Sequence, residues 1–235
     1  LGMVVLGLED TTKVTMEDMI HHIKAVSRGV KRAMVIGDMP FLSYHTGKYE
    51  SVRNAGRLVS EGGCKAVKLE GGEEITDDIK AIIGAGIPVM GHLGYTPQSV
   101  NLFGGHKAQG KTMESATKIY RDALSLQKAG VFSIVLECVP YKLASFITES
   151  LDIPTISIGS GPMCNGQVLV LQDMIGVFRD FTPRHVKKYA NAGDIIEEAA
   201  RNYIKEINEG VFPTDKNSFT IEDGIIEELK KLERE

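Results

Sequence analysis

Two periodicities alternate along the chain. Short, mostly apolar runs at Ala33–Asp38, Lys65–Glu70, Ile87–His92, Phe132–Cys138 and Thr155–Ser160 predict strands, with a weaker one at Val168–Leu171. Between them, Thr15–Ser27, Tyr49–Glu61, Ile75–Gly84, Glu114–Ala129 and Tyr141–Glu149 have helical spacing. Thr15 followed by Asp18 is a helix start of the capping type. Gly62, Gly63, Gly84, Gly86 and Gly130 stop helices ahead of strands. This alternation implies a parallel sheet covered by helices. The strand runs stay apolar until their last position or two, as strands buried on both faces do. Beyond Thr182 the pattern turns helical, at Pro183–Ala190, Ile195–Glu209 and Ile221–Glu235. The last of these is amphipathic and charged, which suits a solvated terminal helix or a subunit contact.

A chain of 235 residues fits one α/β barrel domain, so 1–235 is expected to be a single unit, with 183–235 as its C-terminal helical extension. The formal charge of −4 and the absence of a basic cluster beside aromatic residues argue against a nucleic-acid partner. No apolar run approaches the ~18 residues of a membrane span. Cys64, Cys138 and Cys164 are odd in number and far apart, which points to a reducing cytoplasm rather than a disulfide framework.

Four predicted strands finish in an ionisable side chain: Asp38, Glu70, His92 and, one residue before its strand's end, Glu137. Charge is costly at the end of a buried strand, and barrel enzymes build their sites on that rim. Lys68 and Glu70 are two apart and so share a strand face. They read either as a buried ion pair or as a cation for a substrate carboxylate beside a carboxylate near a metal. Asp38 lies in Gly37-Asp38-Met39-Pro40, and its carboxylate suits a hard cation such as Mg²⁺ or a turn cap. The polar stretch 91–110 contains five glycines and is long enough to be functional, with Gln98 and Asn101 as ligand contacts or turn-satisfying groups. His21, His22, His45, His106 and His185 receive no catalytic role, and no P-loop or dinucleotide fingerprint is present.

At these residues the chain resembles the ketopantoate hydroxymethyltransferase family. The matching segments are GDMPF at 37–41, VKLEGG at 67–72, GHLGYTPQSVNLFGG at 91–105, VLECVP at 135–140, GQVLVLQDMIG at 166–176 and GVFP at 210–213. The resemblance implies a (β/α)8 TIM-type barrel. It also implies transfer of a one-carbon unit from 5,10-methylenetetrahydrofolate to 3-methyl-2-oxobutanoate. The product would be 2-dehydropantoate for pantothenate synthesis, formed through a Mg²⁺-stabilised enolate. By motif, Asp38 matches a metal ligand that also faces substrate, and Glu70 a carboxylate beside the metal. Lys68 and His92 match substrate-binding residues, and Glu137 matches the general base. The partners implied are an oxo acid, a reduced folate and further copies of the chain, a decamer by resemblance.

The family's first strands end in a Gly-Asp-Ser-Leu-Gly-Met type motif, and this sequence opens at Leu1-Gly2-Met3. The expectation is therefore six strands of eight, with about two strands and a helix missing. Smaller departures are Asn165, Ser157, Ser160 and HKAQGK at 106–111. Two rival readings are a non-catalytic homologue serving as an assembly subunit and a related Mg²⁺-dependent oxo-acid lyase.

Overall fold

The computed structural model describes residues 1–103, 108–179 and 181–232. Among these, six strands form one sheet: β1 (Ile36–Asp38), β2 (Ala66–Glu70), β3 (Val89–Gly94), β4 (Ser133–Glu137), β5 (Thr155–Ile158) and β6 (Gly166–Gln167). Each strand is parallel to its neighbour, and the spatial order is the chain order. The helices are α1 (Met16–Gly29), α2 (Lys48–Arg57), α3 (Thr76–Gly84), the single turn α4 (Val100–Phe103), α5 (Met113–Ala129), α6 (Tyr141–Ser150), the single turn α7 (Leu171–Met174), α8 (Ala192–Asn208) and α9 (Asp223–Leu232).

Crossovers of one hand between consecutive parallel strands stack the connecting helices on one face of the sheet. Alternate strand residues Val67, Leu69, Val89, Leu93, Ile134 and Leu136 meet those helices in the main core. Leu126 of α5 is fully buried there, and burial of such a side chain stabilises by roughly 1.5–3 kcal/mol. A Cβ at Gly91 would lie 2.8 Å from Leu126 Cδ1, so glycine lets α5 approach β3. The opposite face carries a smaller apolar group, Met90, Val135 and Ile158, packed with Ile36, Phe132 and Ile156. That face continues, toward the strand C-termini, into the ionisable residues.

The local signals hold at several ends. Thr15 and Asp18 form a reciprocal capping box on α1. Gly63 and Gly130 close their helices in the left-handed conformation. Two expectations fail. The sixth strand lies at Gly166–Gln167, not Val168–Leu171, because pairing with β5 ends at the bond from Val168 N–H to the Ser157 carbonyl and Leu171 opens α7. Pro183–Ala190 is not a helix. It holds one turn, Val186 N–H to the Pro183 carbonyl, while Tyr189 N–H is taken by the Met174 carbonyl 2.8 Å away.

The structure shows an α/β fold with a parallel sheet whose outer strands among the described residues are β1 and β6. Six strands are the number expected from the sequence, and among the described residues they do not by themselves close a (β/α)8 barrel. Among the described residues no helix is long and apolar enough to cross a membrane.

Candidate active site

Parallel pairing aligns the site. Asp38 stands opposite Lys68, Glu70 opposite His92, and Glu137 opposite Gly94. Because paired residues share a face, the five ionisable side chains project to the same side of the sheet at its C-terminal end. Lys68 Nζ lies 2.8 Å from Asp38 Oδ1, 3.9 Å from Glu70 Oε1 and 3.2 Å from His92 Nδ1. His92 Nδ1 lies 3.5 Å from Glu70 Oε1, and its Nε2 lies 3.2 Å from Glu137 Oε2. All five residues singled out from the sequence are therefore brought together.

Their exposure is graded. His92 and Glu70 are buried, Lys68 and Glu137 are partly covered, and the Asp38 side chain is 42% exposed. Ligand therefore has access from the Asp38 and Glu137 sides. Burial would lower the Lys68 pKa, but the Asp38 and Glu70 carboxylates outweigh it and hold the ammonium protonated. Burial would raise Glu70, but His92, Lys68 and the Gln98 N–H outweigh it, leaving the carboxyl below its usual range. Burial and the Lys68 charge would lower His92, but contacts with Glu137 and Glu70 outweigh them and raise it.

Two buried polar atoms lack a well-directed hydrogen bond despite close charged neighbours, Asp38 Oδ1 and His92 Nε2. Each is in contact with an opposite partner, Lys68 and Glu137 respectively, but off the hydrogen-bond axis. The Asp38 carboxylate oxygen keeps a second lone pair for a ligand, whereas the single Nε2 position of the imidazole is taken up by Glu137.

Among the described residues no three His, Cys, Asp or Glu side chains converge as a metal cage. Mg²⁺ does not require one, since it keeps several waters and uses one or two carboxylates plus substrate oxygens. Asp38 and Glu70 supply two carboxylates flanking the Lys68 ammonium, and Asp38 Oδ1 is under-satisfied. This donor set fits a hard cation completed by water or substrate.

Sequence reasoning missed Tyr44. It is buried behind Glu70, its hydroxyl 3.2 Å from both the Glu70 carbonyl oxygen and the Glu70 nitrogen. No periodicity marks it, because it lies in the irregular connection between β1 and α2. Gln98 is buried and bonded to protein, whereas Asn101 is exposed. Burial and the charges of Glu137 and Glu70 push the Tyr95 hydroxyl up to about 12. His45 packs against the Tyr44 ring at 4.1 Å, and His185 Nδ1 lies 4.0 Å from Cys138 Sγ. His21 and His22 contact each other edge-on on α1. Gly104, Gly105, His106 and Lys107, which belong to the long motif and the segment after it, lie outside the described residues.

Comparison with known proteins supplies independent support. Residues 1–215 match the family profile described as ketopantoate hydroxymethyltransferase. The chain is 73% identical over 232 residues to the 3-methyl-2-oxobutanoate hydroxymethyltransferase of Acetivibrio thermocellus, covering 99% of this chain and 82% of that one. It is 58% identical over 231 residues to the enzyme of the same name from Clostridium kluyveri, covering 98% and 82% respectively. Among solved structures, that of a candidate phosphonomutase from Burkholderia cenocepacia J2315 superposes with a TM-score of 0.52 at 14% identity, covering 66% of this chain and 67% of that one. That last likeness concerns the fold alone. The sequence matches and the motifs gathered at one sheet end agree: the chain belongs to the ketopantoate hydroxymethyltransferase family, and its enzymatic activity is that family's hydroxymethyl transfer.

Proposed function

We propose that the chain transfers the one-carbon unit of 5,10-methylenetetrahydrofolate to C3 of 3-methyl-2-oxobutanoate, giving 2-dehydropantoate, with Mg²⁺ held by Asp38 and Glu70. The observation that carries this reading is the convergence of a base candidate, Glu137, with an Asp38–Lys68–Glu70 group on one sheet face. When bound, Mg²⁺ supplies Lewis acidity toward the keto and carboxylate oxygens of the oxo acid. Glu137 accepts the C3 proton, since it is partly open to ligand and steadied on its buried side by His92. Lys68, held protonated, offers positive charge to the substrate carboxylate, and His92, 3.2 Å from Lys68 Nζ, stands beside it as the second substrate-binding residue that the family motif implies. The resulting enolate carbon forms its new C–C bond to the one-carbon unit, whose two C–N bonds to the folate break, and one water supplies the hydroxyl oxygen as tetrahydrofolate leaves.

The outer strands β1 and β6 support reading the sheet as the larger part of a (β/α)8 barrel, closed across those edges by two further strands. Exposed Ile195, Ile196 and Ile204 on α8, with Ile225 and Leu229 on α9, support a homo-oligomer, a decamer by family resemblance. Three free cysteines support a cytoplasmic location.

The test is direct. The protein is incubated with both substrates and Mg²⁺, and the product is followed by mass spectrometry. Formation of 2-dehydropantoate that depends on the folate and on Mg²⁺ is expected. Turnover that persists without the folate, or that chelation leaves unchanged, would overturn the donor or the metal assignment.

A further inference from the structure

Gln98 has the position of a loop residue and the bonding of a strut. It follows β3, is 8% exposed, and each of its polar groups but the carbonyl goes to a distant segment. Its side-chain Nε2 donates to the Met39 carbonyl at 2.8 Å, 59 residues away and next to Asp38. Its Oε1 accepts from the Tyr44 hydroxyl at 2.9 Å, 54 residues away. Its backbone N–H donates to Glu70 Oε2 at 2.9 Å, 28 residues away. Tyr44 closes the loop, because its hydroxyl also accepts from the Glu70 N–H at 3.2 Å.

A glutamine that only satisfied its own turn would bond within that turn. This one ties the ends of β1 and β2 to the segment after β3. With Glu70 Oε2 engaged by Gln98, Oε1 is left facing Lys68 and His92. With the Met39 carbonyl engaged, the peptide immediately after Asp38 is fixed as well. The backbone N–H of Gln98 thereby holds the Glu70 carboxylate directly, and its side-chain amide holds the peptide next to Asp38 without touching either carboxylate. Hydrogen-bonded neighbours of this kind fix the orientation of metal ligands, and their loss costs roughly 10–100-fold in affinity.

We propose that Gln98, supported by Tyr44, is a positioning residue that sets the separation and orientation of Asp38 and Glu70 for a divalent cation. The proposal rests on the reading of those carboxylates as cation ligands.

Mn²⁺ binding to the whole chain, followed by electron paramagnetic resonance with and without 3-methyl-2-oxobutanoate, tests it. The variants are Gln98→Leu, Tyr44→Phe and Asp38→Asn, each studied at a temperature where circular dichroism shows it folded. Gln98→Leu and Tyr44→Phe are both expected to weaken Mn²⁺ binding, Gln98→Leu by roughly 10-fold, the low end for a ligand's neighbours because the backbone N–H still reaches Glu70, and Tyr44→Phe less. A residue with a merely structural role would change the melting midpoint and leave the Mn²⁺ affinity of the folded protein unchanged. Wild-type affinity in both variants, alongside weakened binding in Asp38→Asn, overturns the positioning role alone. Wild-type affinity in Asp38→Asn removes the cation reading and this inference with it. Tyr44→Phe retains the ring and loses only a hydroxyl, so the question stays decidable if Gln98→Leu does not fold.

Discussion

His92 Nε2 and Glu137 Oε2 lie 3.2 Å apart, and the two side chains are covered unequally, at 3% and 17% exposure. The imidazole forms the floor of the site and the carboxylate its accessible wall. A group that must touch a substrate proton belongs on the wall.

Glu137→Gln should therefore abolish proton abstraction while sparing the fold. Deuterium exchange at C3 of 3-methyl-2-oxobutanoate, followed by proton NMR, is expected to slow by ~10²–10⁴. Undiminished exchange would move the base elsewhere, with His92 next in line.

Lys68→Met addresses the charge between the carboxylates. Removing the ammonium leaves Glu70 and Asp38 close together with no cation from Lys68 between them. Breaking a buried pair costs roughly 3–5 kcal/mol, and the low end applies here because Asp38 is 42% exposed. Urea unfolding measures it. Adding Mg²⁺ should return part of the loss if Asp38 and Glu70 hold the cation, and no recovery would count against that pair of ligands.

Cys138 gives a pH signature. Burial, with the neighbouring Glu137 charge second, pushes its thiol up to about 11. The folded-state value is raised, so this group's contribution to stability is fully present below the unfolded value of ~8.5 and is lost as pH rises through about 11. Alkylation at Cys138, followed by peptide mass spectrometry, should be slow at pH 8 and accelerate toward pH 11. Glu137→Gln should shift that rise to lower pH. A thiol as reactive at pH 8 as a free one would refute the assignment.

Gly94 and Gly86 form a matched pair for stability. Both have positive φ, but a Cβ at Gly94 would lie 2.2 Å from the Glu137 carbonyl oxygen, whereas one at Gly86 meets open space. Alanine at Gly86 should cost only the left-handed backbone term, about 1–2 kcal/mol. At Gly94 an overpacking cost of roughly 1–3 kcal/mol should be added. Equal losses in denaturant titrations would show that the β3–β4 contact relaxes freely.

Asp38, Glu70, His92 and Glu137 were legible because each interrupts an apolar run at its end, where hydrophobicity no longer explains the residue. Tyr44 was not legible. Its partners are 26 and 54 residues away, and nothing within its own loop requires a tyrosine. Gln98 drew notice only through the glycine-rich stretch around it, and sequence could not separate ligand contact from internal bonding. The run at Val168–Leu171 is apolar enough for a strand, but apolarity does not specify a pairing partner, and Val168, Val170 and Leu171 remain exposed. Pro183–Ala190 has helical spacing, yet Tyr189 bonds to Met174 across the fold. Barrel closure depends on what pairs with the outer edges of β1 and β6, which no pattern within those strands records.

Because every ladder joins consecutive strands, the site is completed in the order in which it is synthesised. Asp38, Lys68 and Glu70 leave the ribosome first, and Glu137 follows about 100 residues after Asp38, roughly 5–20 s later at typical elongation rates. The counter-charge for the early carboxylates comes with them, since Lys68 reaches Asp38 on the neighbouring strand and Glu70 on its own without help from β3 or β4. A β1–β2 pair therefore carries its own counter-charge before β3 and β4 are added, so sheet assembly need not pack the two carboxylates together uncompensated at any stage.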